Sequence, residues 1–528
     1  MNKLTRFLSL ALALTLTFTS VDMNVFAAEL NESSEASIVT TEESNREENT
    51  EISSHKDSDD AESSDNQNKS DSNDDNKSNE TTNTQEGEAN PEEAQEEGEA
   101  LVEEELEVEE AEEQEMLEAI TAEDLQIEGY KVTKYTGNGG AVEIPEGITS
   151  IADYAFSNAS EITAITLPTT LTSIGYMSFS DCTNLKKIVI PSSTRKIGYK
   201  AFRVNNQVDT EVVIESKSLD VDSSVFEGRN LTSVKLPEGM VTLPQLFNDA
   251  TFTTGYVLEI PASVTTIADY AFLGATGLKT VTFTGENLTT IGEYAFKNSS
   301  ISEISLPSKV KTIKYDAFRN CVNLTNITLP EGLQTLGYHA FGADNPVAGD
   351  TTVVVKSKNF EGNTAVFQGR NLVSVKLPEG MVTLPQLFND ATFTTGYVLE
   401  VPASVTTIAD YAFLGATGLK TVAFTGDKLT TIGEYAFKNS SITEINLPSK
   451  VKTIGYEAFR NCRSLEKVYL GANISDMGYK VFGECELAYF IITGSGKNTY
   501  NALIAQGIDK NRIVSTKSIT YKLNGGVA

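Results

Sequence analysis

The side chains that most often carry chemistry are scarce in this 528-residue chain. It has two histidines, His55 and His339. Nucleophilic triads need a histidine base, and zinc sites are commonly built from several His and Cys ligands. Sister segments carry Asp316 and Glu457 where His339 stands, so we expect His339 to be a solvated surface residue. This inventory argues against an enzyme and predicts no cofactor and no metal site.

The four cysteines share one recurring position. Each stands three residues after a recurring phenylalanine: Cys182, Cys321, Cys462 and Cys485. A shared position of this kind is typical of a small apolar slot in a core, which favours free, buried thiols. Cys462 and Cys485 lie one repeat apart, so a disulfide between them is the alternative.

Tyrosines form one candidate binding row, two or three residues before the same phenylalanines. They are Tyr154, Tyr176, Tyr199, Tyr270, Tyr294, Tyr315, Tyr338, Tyr411, Tyr435, Tyr456 and Tyr479. One interpretation is a stacked aromatic ladder that supports each turn. The other is an amphipathic strip that grips a protein or a glycan.

Outward strand positions form a second candidate row, in which Thr and Ser outnumber aromatic residues. Its members are Glu143, Thr166, Val189, Lys235, Glu259, Thr282, Ser305, Thr328, Lys376, Glu400, Ala423, Asn446 and Tyr469. Repeat proteins commonly bind partners along such a face. The row lacks most of the Tyr, Trp and Arg anchors that dominate binding energy.

A duplicated segment supplies the most specific candidate site. Ser233–Glu259 recurs letter for letter as Ser374–Glu400, an offset of 141 residues. Within this segment the chain departs from the repeat pattern and places aromatic residues beside polar ones. Such an irregular segment, or bulge, is typical of a site that contacts a partner. The candidate partner-binding residues are Asn248, Asp249, Phe252, Tyr256, Asn389, Asp390, Phe393 and Tyr397. Duplication without a binding role is the alternative.

A repeat of about 23 residues must position all of these side chains. Its closing phenylalanines, 21 to 26 residues apart, are Phe156, Phe179, Phe202, Phe226, Phe247, Phe272, Phe296, Phe318, Phe341, Phe367, Phe388, Phe413, Phe437, Phe459 and Phe482. Alternations such as Ile165-Thr166-Leu167 predict short strands, and the following Pro168 ends the strand. One unit cannot bury its apolar face alone, so the period predicts a solenoid.

The pattern L-x-x-I-x-L-P-x-x-V-x-x-I-G-x-x-A-F-x-x-C, seen across Leu324–Phe341 and Ile442–Cys462, resembles the BspA-like leucine-rich repeat surface protein family. The resemblance implies a right-handed leucine-rich repeat solenoid of short parallel strands and turns with little helix. It also implies display on a bacterial or protozoan surface and a role in adhesion. Val212–Phe226 and Val353–Phe367 lack the strand-ending Pro, so we expect distorted turns there.

Composition changes sharply before the repeats. Residues 1–27 have Lys3 and Arg6 ahead of an apolar run too short to span a bilayer, which predicts a signal peptide. Residues 28–124 are predicted to be a long disordered acidic segment of low complexity. Within 29–124, 36 acidic residues face 4 basic ones, a net −32 of the chain's −33. The repeats are therefore close to neutral.

We predict repeats over residues 125–485, about 15 turns including the 141-residue duplication, and a C-terminal cap over 486–514. Residues 515–528 alternate like a strand up to an Asn-Gly turn signal. They resemble the start of an internalin-type B repeat, a further β module; a frayed tail is the alternative.

These features predict a secreted or cell-surface, non-catalytic protein that mediates protein–protein interaction or adhesion. The partner would be an extracellular protein or glycan. A near-neutral repeat array beside an acidic segment argues against nucleic acid, and after signal cleavage no transmembrane segment is expected. One alternative is the targeting region of a larger wall-associated enzyme whose catalytic module lies beyond residue 528. Another is a structural spacer in a surface layer.

Overall fold

The computed structural model describes residues 124–516. The predicted signal peptide (1–27), the predicted acidic segment up to residue 123, and residues 517–528 lie outside the described residues.

The turns of the repeat array contribute strands to two faces. The long-strand face contains β3 (Gly140–Glu143), β5 (Ile162–Thr166), β7 (Lys187–Ile190), β9 (Val208–Ile214), β11 (Arg229–Lys235), β13 (Thr251–Ile260), β15 (Thr276–Phe283), β17 (Glu303–Ile304), β19 (Asn326–Leu329), β21 (Asp350–Val355), β22 (Asn371–Lys376), β24 (Thr392–Val401), β26 (Thr417–Phe424), β28 (Glu444–Asn446), β30 (Lys467–Leu470), β32 (Tyr489–Ile492) and β33 (Ile513–Ser515). Neighbours such as β7 and β9 pair in parallel. The predicted parallel-strand solenoid is therefore confirmed.

The short-strand face is built from two-residue strands. They are β4 (Ser150–Ile151), β6 (Ser173–Ile174), β8 (Lys196–Ile197), β10 (Asp220–Val221), β12 (Thr242–Leu243), β14 (Thr266–Ile267), β16 (Thr290–Ile291), β18 (Thr312–Ile313), β20 (Thr335–Leu336), β23 (Thr383–Leu384), β25 (Thr407–Ile408), β27 (Thr431–Ile432), β29 (Thr453–Ile454) and β31 (Asp476–Met477). An antiparallel hairpin of β1 (Leu125–Glu128) and β2 (Lys131–Tyr135) starts this face.

Residues of one type stack on themselves along the short-strand face. Thr266 pairs with Thr290 in the next turn, and Ile267 pairs with Ile291. The isoleucines are fully buried, whereas the threonines are half-buried. This inward–outward alternation fixes the register, because a slip of one residue would expose the whole apolar row.

The closing phenylalanines line a third side, where turns replace strands. The backbone N–H of Phe318 donates to the carbonyl of Ala340 in the next turn at 2.7 Å, and Phe179 repeats this bond with Ala201. The ring centroid of Phe318 lies 5.0 Å from that of Phe296 and 4.9 Å from that of Phe341. The phenylalanines thus form the central stack of a continuous core.

These turns require special backbone angles. The residue two before the phenylalanine has positive φ, as at Tyr294 (56°), and so does the residue two after it, as at Asn298 (59°). The later position is mostly Asn, Asp or Gly, the residues that best tolerate the left-handed region. The turn chemistry of the repeat follows from this requirement.

Both faces are interrupted. The short-strand ladder stops at β10 and resumes at β12, and it stops at β20 and resumes at β23. Both breaks lie between a turn without the strand-ending Pro, Val212–Phe226 or Val353–Phe367, and the turn that follows it. Inside the first of these turns β10 still pairs with β8, and in the second a single bridge joins Glu361 to Thr335. On the long-strand face, β17 pairs with β15 but not with β19, and the duplicated β28 pairs with β30 but not with β26.

The array ends in a different element. After β32 comes helix α1 (Lys497–Ala505), whose Leu503 is buried, then a short 3-10 helix (Lys510–Arg512). β33 follows and pairs in parallel with β32. The assignment of this region as a cap stays a prediction. Between residues 124 and 516, no helix has the length and apolar character needed to cross a membrane.

Candidate functional site

His339 is buried, with 8% of its surface exposed, so the prediction of a solvated residue is wrong. Its Nε2 lies 2.5 Å from Gln368 Oε1, and its Nδ1 lies 3.7 Å from Asp316 Oδ1. Burial, and then the nearby Arg319 cation, lowers the pKa of His339. The error has a clear cause: this position faces the adjacent turns, and Asp316 and Glu457 are also buried there.

The buried carboxylates at this position are matched by cations from neighbouring positions. Asp316 Oδ2 accepts from Lys297 at 3.1 Å and from Arg319 at 2.9 Å. Glu457 accepts from Lys438 and Arg460, each at 2.6 Å. The clusters hold adjacent turns together. Over residues 124–516, no group of three or more His, Cys, Asp and Glu side chains is placed to hold a metal ion.

The four cysteines are free, buried thiols, as the shared position predicts. Burial raises the pKa of Cys182 and of Cys321 to about 11. The Cys321 thiol donates to the carbonyl of Phe296 at 3.0 Å. A protonated, hydrogen-bonded thiol is a poor nucleophile, so Cys182 and Cys321 are packing residues of the core.

The duplicated segment is more buried than its sequence suggests. Asn248 and Phe252 are 4% and 1% exposed, and their copies Asn389 and Phe393 are buried equally well. Asn248 Oδ1 accepts a hydrogen bond from the Ser224 hydroxyl at 2.7 Å. These four side chains therefore position the segment rather than present themselves to a partner.

The other four candidates lie nearer the surface. Asp249 and Asp390 are exposed residues. Their carboxyl groups are nevertheless partly buried, and this burial raises the pKa of both. Tyr256 is half-buried: its hydroxyl accepts the Val234 N–H at 2.8 Å, and Tyr397 makes the same bond with Val375. Partner binding by the eight candidates stays a prediction.

Sequence reasoning missed the exposed part of this segment. The pairing of β13 with β15 is irregular between Thr251 and Tyr256, and Thr253, Thr254 and Gly255 between them are exposed. The copy exposes Thr394, Thr395 and Gly396 in the same way. The Thr-Thr-Gly run before each tyrosine was the available signal, because glycine is typical of strand irregularities.

The outward strand row is an exposed or half-buried polar surface, as expected from its residue types. It is not smooth. Where β17 fails to pair with β19, a recess of about 530 Å³ is lined by Thr282, Phe283, Glu303, Ser305 and Thr328 among others. At the end of the row, Leu487, Tyr489 and Val514 form an exposed apolar patch.

The tyrosine row stacks into three runs, so the predicted aromatic ladder is present, and partner binding by the row stays a prediction. They are Tyr154–Tyr176–Tyr199, Tyr270–Tyr294–Tyr315–Tyr338 and Tyr411–Tyr435–Tyr456–Tyr479, with neighbouring ring centroids 5.1 to 6.1 Å apart. Each gap between runs is a pair of irregular turns without a tyrosine. The ladder-end residues Tyr154, Tyr270, Tyr411 and Tyr479 are the most exposed.

A family model described as the BspA type leucine-rich repeat region, in six copies, matches residues 130–253, 247–372 and 386–506. No curated protein is significantly similar to the chain in sequence. A leucine-rich repeat protein from Bacteroides ovatus is 20% identical, with a TM-score of 0.41 and coverage of 73% of this chain and 87% of that one.

Two further solved structures are similar. A leucine-rich cell surface protein from Faecalibacterium prausnitzii is 20% identical, with a TM-score of 0.27 over 75% of this chain and 92% of that one. The pneumococcal vaccine antigen PcpA is 17% identical, with a TM-score of 0.27 over 73% and 96%.

Proposed function

The chain belongs to the BspA-type leucine-rich repeat family, and we propose that it is a secreted or cell-surface module that binds an extracellular protein and catalyses no reaction. The observation that carries the proposal is a continuous buried core that holds rows of exposed side chains in register. Repeat arrays of this kind present extended binding surfaces.

One feature of the sequence and the family membership support an extracellular location. The pattern of Lys3, Arg6 and the apolar run favours export. The family is associated with cell surfaces. A partner met outside the cell would approach a near-neutral array that carries a segment of net charge −32, and this segment attracts basic proteins over a distance set by salt.

We place the partner contact at the two copies of the duplicated segment. Thr253–Gly255 and Thr394–Gly396 are the exposed parts, flanked by Asp249 and Tyr256 in one copy and by Asp390 and Tyr397 in the other. Backbone groups at an irregular strand are free to bond an incoming chain, and the tyrosine edges add apolar contact.

A pull-down tests the proposal. The full chain is immobilised and exposed to host matrix proteins and surface extracts at physiological salt, with the heat-unfolded chain as the control. We expect partners that the folded chain retains at micromolar concentration and the unfolded chain loses. Retention by both would assign binding to the acidic segment, and no retained protein would contradict the proposal.

A further inference from the structure

The tyrosine ladder already holds lysine ammonium groups. Lys297 Nζ lies 4.8 Å from the ring centroid of Tyr294, and Lys438 Nζ lies 4.8 Å from that of Tyr435. Lys200 and Lys480 lie over Tyr199 and Tyr479 at 5.0 and 5.1 Å. All four distances are within the range of cation–π attraction. The ladder therefore has the chemistry of an ammonium receptor.

Tyr411 begins a run and has a ring face that no tyrosine covers. Tyr435 stacks on one side at 5.1 Å, whereas the preceding irregular turn supplies no aromatic ring at this position. On that side lies a recess of about 490 Å³, walled by Phe360, Pro385 and Gln386. Tyr411 is 36% exposed.

Two carboxylates border the same recess. They belong to Glu361 and Asp410, and both residues are exposed. Asp410 Oδ1 accepts the backbone N–H of Glu434 at 2.7 Å. Across the described residues 124–516, neither carboxylate forms an ion pair with a basic side chain of this chain. An aromatic face beside two unneutralised carboxylates favours a cationic group.

The duplication supplies a built-in comparison, because Tyr270 and Asp269 occupy the same places 141 residues earlier. There Lys314 Nζ lies 3.1 Å from Asp269 Oδ1 and neutralises it. The residue in the place of Lys314 in the second copy is Gly455, which has no side chain. Gly362 similarly replaces the bulkier Val221. The second copy thus leaves both carboxylates of the recess without a cation of this chain, whereas in the first copy Lys314 neutralises Asp269.

We propose that the recess of Phe360, Glu361, Pro385, Gln386, Asp410 and Tyr411 binds the ammonium group of a lysine side chain of the partner protein. This inference rests on the proposed function and names the chemistry that the partner must present. The ammonium would lie over the Tyr411 ring between the two carboxylates, and its apolar stem would pack against Phe360 and Pro385.

The test uses the full chain and Nα-acetyl-lysine amide as the probe, with saturation-transfer NMR at physiological salt. The variant is E361Q/D410N, and the matched control is D220N/D269N, which changes the corresponding residues of the first copy. The D410N substitution keeps a side-chain oxygen that can accept the Glu434 N–H, so the fold is retained. The acidic segment is the same in both variants, so its attraction for the probe cancels in the comparison.

We expect the E361Q/D410N variant to bind the probe about three- to tenfold more weakly than the natural chain, the range of one exposed cation–π and ion-pair site. The D220N/D269N control should bind it unchanged. Nα-acetyl-norleucine amide, which has a similar stem and no charge, should not compete. Equal binding by the two variants, or competition by the norleucine analogue, would overturn the inference.

A second variant pair tests the aromatic part. Y411L should weaken binding of the lysine probe as the charge variant does, and Y270L should leave it unchanged. Circular dichroism should show that both variants remain folded.

Partner capture separates this inference from the proposed function. If E361Q/D410N retains a captured protein as well as the natural chain does, the lysine inference fails and the function stands. If no protein is captured while the probe binds at Tyr411, the function fails and the recess stands.

Discussion

At the scale of single residues, two fully buried arginines stabilise the irregular turns. Arg229 donates to the carbonyls of Leu185 at 2.7 Å and Cys182 at 3.1 Å, and also to Phe202. Arg370 repeats the arrangement in the second copy. Burial lowers the pKa of both arginines to about 10, so they remain charged at neutral pH. The Cys182 carbonyl also accepts the backbone N–H of Leu185, and the Cys321 carbonyl that of Leu324. The arginines therefore matter most for the carbonyls of Phe202 and Leu185 and for their copies, because buried carbonyls need a hydrogen-bond donor.

Replacing Arg229 by Met should therefore destabilise the array. The methionine fills part of the space but leaves the carbonyls of Leu185 and Phe202 without the arginine donors, whereas the Cys182 carbonyl keeps the Leu185 N–H. At about 1–3 kcal/mol for each of these two unsatisfied buried groups, we expect a loss of about 2–5 kcal/mol. Denaturant unfolding measures it. Arg463→Met, at an exposed position, should change little; equal losses would contradict this role for Arg229.

Phe318 provides the residue-scale test of the core. It is fully buried between Phe296 and Phe341, so Phe318→Ala opens a cavity in the stack. We expect a loss of about 3–5 kcal/mol in the free energy of unfolding. Thr328→Ala, on the outward row, should cost little. A small loss for Phe318→Ala would mean that the stack is not the core of the array.

At the scale of one turn, the distance between neighbouring turns decides residue choice. A side chain built on Gly292 would place its Cβ 2.4 Å from the backbone nitrogen of Asp269. The Asp269 side chain itself accepts the Glu293 N–H at 2.7 Å. The Ile-Ala-Asp and Ile-Gly-Glu versions of the turn are thus complementary: the aspartate of one turn bonds the backbone of the next, which must carry glycine.

Gly292→Ala should consequently strain two turns at once. Because backbone atoms cannot yield as a flexible side chain does, we expect a loss of about 1–3 kcal/mol, measured by thermal and denaturant unfolding. The matched control is Gly342→Ala, whose new Cβ would lie 3.4 Å from its nearest neighbours, an ordinary contact. If the two variants lose the same stability, close approach of the turns is not the reason for glycine.

At the scale of the whole molecule, the duplication makes the array modular. Deleting residues 233–373 joins Thr232 to Ser374, and the following 27 residues are the same as before. Every new contact between turns is then one that the natural array already contains. Since repeat arrays gain stability from each turn and its neighbours, we expect the shorter chain to fold.

Circular dichroism and denaturant unfolding check this prediction. The shortened chain should unfold cooperatively, with an m-value that falls in proportion to the surface removed. Deleting residues 233–361 instead joins the chain about half a turn out of register, so that variant should fail to fold. A folded out-of-register variant would contradict the model of stacked turns.

The same deletion tests binding by the two copies. The natural chain has two Thr-Thr-Gly bulges, and the shortened chain keeps one. If both bulges bind a repetitive ligand, avidity should slow dissociation of the natural chain by about 10²–10⁴-fold. Surface plasmon resonance on the immobilised partner from the pull-down measures the rates. Equal dissociation rates would end the bivalent hypothesis while leaving the fold untouched.

The sequence by itself determined the period, the phenylalanine core, the strand positions and the irregular turns. These features are local, because Phe318, Ile313 and Pro307 stand at fixed sequence separations within one repeat. Each repeat must bury the same apolar face against its neighbours. The tyrosine ladder was predictable for the same reason. The family follows from the repeat pattern and not from any single residue.

Only the tertiary structure decided which polar residues meet. Arg229 bonds a carbonyl 47 residues away, Lys314 pairs with Asp269 across 45 residues, and His339 reaches Gln368 across 29. These separations span one or two turns, and their outcome depends on how turns of unequal length stack. The burial of Phe252, the exposure of Thr253–Gly255 and the lack of a cation beside the Asp410 carboxylate are consequences of that stacking, which no single repeat contains.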